Sequence, residues 1–281
     1  MPIAQAQISV LDRGFLFGDG VYEVIPAYGR QLLRLDEHLQ RLQNSLDGIR
    51  LSNPLTAVQW HSVLNELIEK NTGEDQYIYV QITRGVAEKR DHAFPAQIQH
   101  TVFCMSSPLL AMSKQSLQQG VSAITLDDIR WHACNIKSTA LLANVLARQQ
   151  AVDVGATEAI LLRQGFATEG AASNVFIVKR GMLLTPPKSS LLLPGITRDL
   201  ILELAQANAI PCDEQNISAA DLRRADEIWL SSSTREILPV VQLDGQPVGN
   251  AKPGALWHRV IDLYQEYKAQ LRQSGASSKL S

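Results

Sequence analysis

Alternation of polar and apolar residues predicts strands along the whole chain. Turn pairs such as Arg180-Gly181 and Asp244-Gly245 separate several of them, as expected for antiparallel hairpins. We predict strands at residues 8–11, 21–28, 76–83, 121–131, 158–163, 174–179, 182–185, 227–230 and 236–243. The small-residue stretch 166–173 interrupts two of the apolar strands and is interpreted as a connection between them.

A period of about 3.6 residues in the apolar positions predicts helices between these strands. Asp36 is a good N-cap for a helix with leucines on one face, among them Leu39 and Leu42. Further helices are predicted at residues 57–70, 138–153, 197–208 and 256–272. Ser218 begins a sequence that resembles a capping box at a short helix.

Residues 106–119 are rich in Ser and Gln, which is typical of a connection between domains. The 281 residues are also many for a single hydrophobic core. We therefore predict a two-domain α/β (α+β) protein. A small α+β domain would cover residues 1–110, a linker residues 111–120, and a larger domain residues 121–281.

The composition excludes several classes of protein. At 45% hydrophobic and 19% charged residues the chain is globular, and its net charge of −2 gives no sign of nucleic-acid binding. No apolar run is long enough to span a bilayer, and residues 1–7 lack the features of a secretory signal. Cys104, Cys134 and Cys212 have no metal-type spacing and predict no disulfide framework. A cytoplasmic protein without a bound metal is therefore expected.

Lys137 is the first candidate for chemistry. The predicted pattern places it after a strand segment and directly before a helix, where the helix dipole disfavours a charged ammonium group. A neutral amine is what reaction with an aldehyde requires. The alternative interpretation is a surface lysine near a helix start, which is the usual role of a lysine in such a place.

Two segments downstream supply complementary groups. Glu169 lies among small uncharged residues that would let a flat ring approach, although an exposed hairpin glutamate is the common alternative. Gly195 leads directly into a predicted helix whose first N–H groups could bind a phosphate, and many such helix starts bind nothing. An amine, a carboxylate and a phosphate site in this order are the parts that pyridoxal 5'-phosphate (PLP) needs from a protein.

With further motifs, these segments resemble the class IV PLP-dependent aminotransferases. That family includes D-amino-acid aminotransferase, branched-chain aminotransferase and aminodeoxychorismate lyase. The resemblance is carried by residues 17–23, 34–42, 137, 168–170, 195–198, 231–239, 245 and 252–254, and it covers nearly the whole chain. It implies the two-domain fold type IV of PLP enzymes, with an active site between the domains and a homodimer.

The resemblance also implies roles by position. Lys137 would form the Schiff base with the cofactor and move the proton, Glu169 would partner the pyridine nitrogen, and Leu193 would pack on the ring. The implied phosphate contacts are Arg41, Ile196, Thr197, and Ser233 or Thr234.

Within the family, residues 83–95 look most like the D-amino-acid aminotransferases. There an Arg-x-His pair and a tyrosine, matched here by Arg90, His92 and Tyr22, bind the substrate carboxylate. Arginine suits that task because its planar fork donates two hydrogen bonds to a carboxylate. The alternative interpretation of these residues is a polar surface loop. The implied reaction moves the amino group of D-alanine to 2-oxoglutarate and yields pyruvate and D-glutamate.

Three alternative functions remain open on sequence grounds. An aminodeoxychorismate lyase would use the same lysine and glutamate but eliminate pyruvate, and a branched-chain aminotransferase would act on L-amino acids. The Arg90 and His92 pair disfavours both by resemblance. A PLP-binding carrier without turnover is a third, but a carrier has no need of a carboxylate-binding pair.

Overall fold

The computed structural model describes residues 1–112 and 114–278, which form two compact units. The first unit contains Met1–Leu110, the short segment Ile136–Leu141 and the chain from Leu271 onward. The second unit contains Ala111–Asn135 and Leu142–Gln270. Lys137 therefore belongs to the first unit, whereas Glu169 belongs to the second.

The first unit is an antiparallel sheet with helices packed against it. After a short 3-10 helix at Ile3–Gln5, its elements are α1 (Arg13–Phe17), β1 (Gly20–Tyr28), β2 (Gln31–Leu32), α2 (Leu35–Gly48), α3 (Ala57–Lys70), β3 (Gln76–Thr83) and β4 (Thr101–Pro108). The strand order is β2-β1-β3-β4. Val21 and Ile25 of β1 and Leu42 of α2 are almost fully buried. Their burial follows from the period of two in the strand and of 3.6 in the helix.

The second unit is built on a larger mixed sheet. Its elements are α4 (Lys114–Gln119), β5 (Val121–Asp127), α5 (Leu142–Asp153), β6 (Glu158–Arg163), β7 (Phe166–Gly170), β8 (Asn174–Lys179), β9 (Met182–Thr185), α6 (Ile196–Ala207), β10 (Cys212–Glu214), β11 (Ile217–Ser218), α7 (Ala219–Arg223), β12 (Glu227–Ser232), β13 (Glu236–Leu243), β14 (Gln246–Pro247) and the part of α8 (Ala255–Ser278) up to Gln270. The strand order is β10-β9-β8-β12-β13-β5-β6-β7-β11, and β14 pairs with β13. β5 pairs in parallel with β6 and β13, and most other neighbours are antiparallel.

Many of the predicted elements are confirmed within a residue or two, including α3, β3, the hairpin of β8 and β9, and α6. Ser218 caps α7 as predicted, because its side chain accepts a hydrogen bond from the Asp221 N–H at 3.0 Å. The turn pairs 180–181 and 244–245 also adopt the left-handed backbone angles expected of such hairpins.

Other predictions are wrong. Residues 8–11 form no strand, and α2 starts one residue before Asp36, with Arg34 as its N-cap. The helix predicted from residue 138 begins at Leu142 instead, five residues after Lys137. The stretch taken as an interruption contains strand β7, so Glu169 lies in the sheet rather than in a connection. Strand β4 and helix α4 were not predicted.

Within residues 1–112 and 114–278, no helix combines the length and the apolar character that crossing a bilayer requires.

Candidate active site

Lys137 lies in the first unit, on an irregular segment fixed against β1. Its carbonyl oxygen accepts a hydrogen bond from the Tyr22 N–H at 2.9 Å, and its own N–H donates to Ser45 Oγ at 3.1 Å. Its Nζ lies 4.3 Å from the centre of the Tyr22 ring. The expectation that a helix dipole acts on this amine is wrong, since no helix starts at Lys137. The backbone contacts and the tyrosine ring position it instead.

Beside this segment, Arg41 takes part in a buried ion-pair cluster. Its guanidinium donates to both oxygens of Glu23, at 3.0 and 2.5 Å, and His38 Nδ1 lies 3.0 Å from the same carboxylate. Burial opposes the charge of Glu23, but the attraction of Arg41 outweighs it and holds the Glu23 pKa far below its usual value. Burial also lowers the pKa of His38, whose Nδ1–H then donates to Glu23.

Arg90 and His92 are exposed residues of the connection between β3 and β4, residues 84–100, named here the Arg–His loop. Both contact the ring of Phe17 in α1. The Arg90 guanidinium carbon lies 5.0 Å from the ring centre, and the His92 ring centre lies 5.2 Å from it. Tyr22, the third predicted substrate residue, contacts Lys137 and stacks on Tyr79, with 5.7 Å between the two ring centres.

Glu169 lies in β7 of the second unit and is 5% exposed. Its Oε1 accepts a hydrogen bond from Arg130. Its Oε2 accepts from the Leu193 N–H at 3.1 Å and from Asn174 Nδ2 at 3.3 Å. Donors on both oxygens hold this buried carboxylate in one orientation.

Arg130 is held in turn by a second carboxylate. Its Nε and Nη2 each donate to Asp128 at 2.9 Å, and Arg163 Nη2 lies 3.1 Å from Asp128 Oδ1. Burial opposes the charge of Asp128, but hydrogen bonding and attraction from Arg130 place the Asp128 pKa below its usual value. The pair of carboxylates likewise raises the pKa of Arg130 against its burial. The second unit therefore fixes Glu169 through a charged network that reaches beyond β7.

The N-terminus of α6 lies next to this network. Gly195 is its N-cap, and no side chain accepts a hydrogen bond there, so the first N–H groups of Ile196 and Thr197 have no partner inside the helix. A Cβ on Gly195 would lie 1.9 Å from Asn174 Oδ1, so any other residue here would displace the Asn174 amide. Asn174 Nδ2 also donates to the Leu193 carbonyl at 2.8 Å. One asparagine thus joins the helix start, Leu193 and Glu169.

The predicted serine and threonine donors follow β12. Ser233 and Thr234 lie half-buried in the turn between β12 and β13. Ser231, at the end of β12, pairs with Asn174 across the sheet. Its hydroxyl is buried and has no hydrogen-bond partner among the described residues. A buried polar atom of this kind normally marks a ligand or water site.

Comparisons with known proteins identify the family of this chain. The family model described as amino-transferase class IV matches residues 20–243. The chain belongs to the class IV aminotransferases. D-alanine aminotransferase of Bacillus licheniformis is 40% identical over 260 residues, which are 92% of this chain and 91% of the relative.

Solved structures of the family are also similar. A branched-chain amino acid aminotransferase from Escherichia coli has a TM-score of 0.83 at 31% identity, over 91% of this chain and 86% of that one. The branched-chain aminotransferase of Thermoproteus uzoniensis, solved with norvaline, has a TM-score of 0.85 at 29% identity, over 95% and 91% of the two chains. A further branched-chain aminotransferase structure contains pyridoxamine 5'-phosphate and has a TM-score of 0.90 at 26% identity, over 95% of this chain and 91% of that one.

The residues of this class IV aminotransferase fit a phosphorylated pyridine. The fixed anion of Glu169 suits a protonated ring nitrogen, and the uncapped start of α6 suits a phosphate. The unpartnered hydroxyl of Ser231 adds a donor for a ligand. Among the residues that the structure describes, no three His, Cys, Asp or Glu side chains are grouped as metal ligands would be.

Sequence reasoning missed several members of the site. Glu23 shares the buried face of β1 with Val21 and Ile25, and a charge on an apolar face was a usable signal. His38 likewise lies on the buried face of α2, as does Arg41, which the resemblance implied as a phosphate contact. Arg130 gave no such signal, because its segment has no regular structure.

Proposed function

We propose that this class IV aminotransferase is a PLP-dependent D-amino-acid aminotransferase. It transfers the amino group of D-alanine to 2-oxoglutarate and releases pyruvate and D-glutamate. The sequence similarity to D-alanine aminotransferase over nine-tenths of the chain supports this assignment. Within the structure, the observation that carries it is the placement of Arg90 and His92 on one ring, that of Phe17.

In this proposal the cofactor is bound by the residues that the resemblance implies. Arg41, the first N–H groups of Ile196 and Thr197, and the hydroxyls of Ser233 or Thr234 bind the phosphate. Glu169 faces the ring nitrogen, and Leu193 packs against the ring. Bound PLP supplies an aldehyde for the amine and an electron-accepting ring for the pair released when the Cα–H bond breaks.

Lys137 does two things in the proposed reaction. Its amine would hold the cofactor in the resting enzyme, and its Nζ would afterwards accept the Cα proton of the substrate and donate it back as a general acid. The bonds to Tyr22 N–H and Ser45 fix the backbone from which this side chain extends. Since the first unit fixes the lysine, the face of the substrate from which the proton leaves is fixed too.

Arg90 and His92 bind the substrate carboxylate in this proposal. A guanidinium donates two parallel hydrogen bonds to a carboxylate, and an imidazole adds a third. Fixing the carboxylate and the Cα proton leaves the substrate side chain one direction for a D-amino acid and the opposite one for an L-amino acid. The carboxylate-binding pair therefore selects the hand of the substrate.

Half-reactions test this function most directly. The holoenzyme is mixed with D-alanine, L-leucine or aminodeoxychorismate without an amino acceptor, and the cofactor absorbance is followed. Conversion with D-alanine at least about tenfold faster than with the others is expected. Faster conversion with L-leucine would favour a branched-chain aminotransferase, and pyruvate release from aminodeoxychorismate would favour the lyase. No conversion with any of them would favour a carrier.

We further propose a homodimer in the cytoplasm. Helix α5 exposes Leu142, Val145 and Leu146, which recur on one face and suit burial against a second copy. The three cysteines are free thiols in the structure, which suits a reducing compartment. Light scattering on the purified holoenzyme should give twice the mass of the 31.0 kDa chain.

A further inference from the structure

The Arg–His loop has little backbone pairing of its own. Among the described residues its bridges lie near its ends, where Val86 pairs with Asp12 and Gly85 with Gln99. Residues 88–95, which include Arg90 and His92, form no strand or helix. A long connection of this kind needs side-chain contacts to hold one conformation.

One side chain from outside the loop provides such contacts. Arg13 in α1 is 3% exposed, and its guanidinium points at the loop backbone. Its Nη1 donates to the carbonyl oxygens of Asp91 at 2.6 Å and Ala93 at 3.2 Å, and its Nη2 donates to that of His92 at 3.2 Å. Three consecutive carbonyls are thus bound by one guanidinium, next to Arg90.

Arg13 is itself firmly placed. Its Nε donates to Asp19 at 2.8 Å, and its backbone N–H donates to the Gly85 carbonyl at 2.8 Å. Asp19 also accepts two hydrogen bonds from the buried Arg84, at 2.9 and 3.1 Å. The same short helix carries Phe17, so α1 contacts both the backbone of the loop and the side chains of Arg90 and His92.

We propose that Arg13 is a positioning residue that fixes Arg90 and His92 for the substrate carboxylate. The inference rests on the proposed function of that pair. Arginine is required because its rigid planar fork has donors enough for Asp19 and three carbonyls at once, whereas the ammonium of lysine is a single point. A loop already held in the binding conformation loses less entropy when the substrate binds. Arg13 therefore acts on substrate affinity and not on the chemical step.

Steady-state kinetics of the holoenzyme test this role at saturating 2-oxoglutarate. Arg13→Met should raise the KM for D-alanine roughly tenfold or more, because the carboxylate-binding groups lose their position. The kcat should stay within about twofold of wild type. Arg13→Lys should recover part of the affinity. The matched control is Arg30→Met, since Arg30 also donates to a carbonyl, that of Asn71 at 2.8 Å, and should leave KM unchanged.

A variant background separates positioning from general damage. In an Arg90→Ala/His92→Ala enzyme, Arg13→Met should have no further effect on KM, because nothing is left to position. An equal rise in KM in both backgrounds would overturn the inference, and so would an unchanged KM in Arg13→Met alone. If Arg90→Ala/His92→Ala itself leaves KM unchanged, the proposed carboxylate role of the pair fails, and this inference fails with it.

Proteolysis by trypsin tests whether Arg13 holds the loop without a measurement of turnover. Lys89 and Arg90 are exposed sites for trypsin within the loop. Arg13→Met should speed cleavage there at a temperature where the rest of the chain stays folded, and Arg30→Met should not. Cleavage at the wild-type rate would show that Arg13 does not hold the loop.

Discussion

Glu169 and Arg90 are the two charged residues proposed to meet ligand charge, and the protein holds them in opposite ways. Glu169 lies in a strand, is nearly buried, and has donors on both carboxylate oxygens. Arg90 is exposed on a loop without regular structure and rests on the ring of Phe17. Glu169 is part of the sheet of the second unit, whereas Arg90 lies in a connection of the first unit, outside any strand or helix.

The difference has a functional consequence. A preorganised partner for the cofactor costs no reorganisation during the reaction, so the catalytic chemistry shared by the family can remain constant. A loop that carries the substrate contacts can change without disturbing the sheet. This explains how similar folds can serve relatives named for D-alanine and for branched-chain substrates. The predictions below test this division, beginning with the largest effect.

Removing the reactive amine should have the largest effect. Lys137→Ala should lower multiple turnover by about 10⁴-fold or more, because both the cofactor attachment and the proton transfer are lost. Borohydride reduction of the wild type should fix the cofactor to the peptide that contains Lys137. The control is Lys188→Ala, which removes an exposed lysine paired with Asp199. Cofactor fixed to another lysine would contradict the assignment.

The second largest effect is expected at Glu169, the buried and preorganised residue. Glu169→Gln keeps the size of the side chain but loses the charge, and the amino-transfer half-reaction should fall by about 10²–10³-fold. Cofactor binding should persist, since the phosphate contacts are untouched. Glu158→Gln is the matched control, because Glu158 is also a buried glutamate of the same unit, 1% exposed. The rate of the half-reaction is measured by stopped-flow absorbance. A wild-type rate in Glu169→Gln would exclude the proposed role of Glu169 at the ring nitrogen.

The third largest effect is expected at Arg90, the exposed residue of the Arg–His loop. Arg90→Ala should raise the KM for D-alanine about 10- to 100-fold, since a hydrogen bond to a charged group contributes roughly 1.5–3 kcal/mol. The affinity for PLP should not change, because Arg90 is assigned no contact with it. Lys89→Ala removes the neighbouring exposed charge and serves as the control. Unchanged D-alanine kinetics in Arg90→Ala would refute the D-specific assignment and leave the family assignment standing.

Regular elements could be predicted from the sequence because their signal is local. The apolar period gave α3 and β3 their observed limits. Strand β7 was missed because Ala167, Gly170 and their neighbours are small, and pairing with β6 and β11 rather than local preference makes them a strand. The residues directly after Lys137 were assigned to a helix since they include no breaker, whereas contacts of Lys137 with Tyr22 and Ser45 decide the path of this segment.

The same distinction between local signals and tertiary contacts applies to the residues of the site. Lys137 and Glu169 were predicted from their sequence context and from the resemblance to a family, and the structure adds the groups that surround them. Arg13 and Arg130 could not be found from the sequence, because their partners lie about 40 to 80 positions away in the chain. Periodicity describes neighbours along the chain, whereas these contacts depend on tertiary structure.

The smallest effect concerns the ion pairs beneath the Arg–His loop. Burial raises the pKa of Asp19, but hydrogen bonds from Arg84 and Arg13 outweigh it and place the pKa below the ordinary 3.8. Because the folded-state pKa is the lower one, the stabilisation from Asp19 is fully present above pH ~4 and is lost as the pH falls through the folded-state value. Asp19→Asn should therefore destabilise the protein at pH 7 and weaken the dependence of its unfolding midpoint on pH between about 5 and 3. Urea unfolding across this range measures it, with Asp47→Asn as the control, since Asp47 accepts a hydrogen bond from Gln43 at the surface of α2. An equally steep pH dependence in Asp19→Asn would show that these ion pairs do not stabilise the fold.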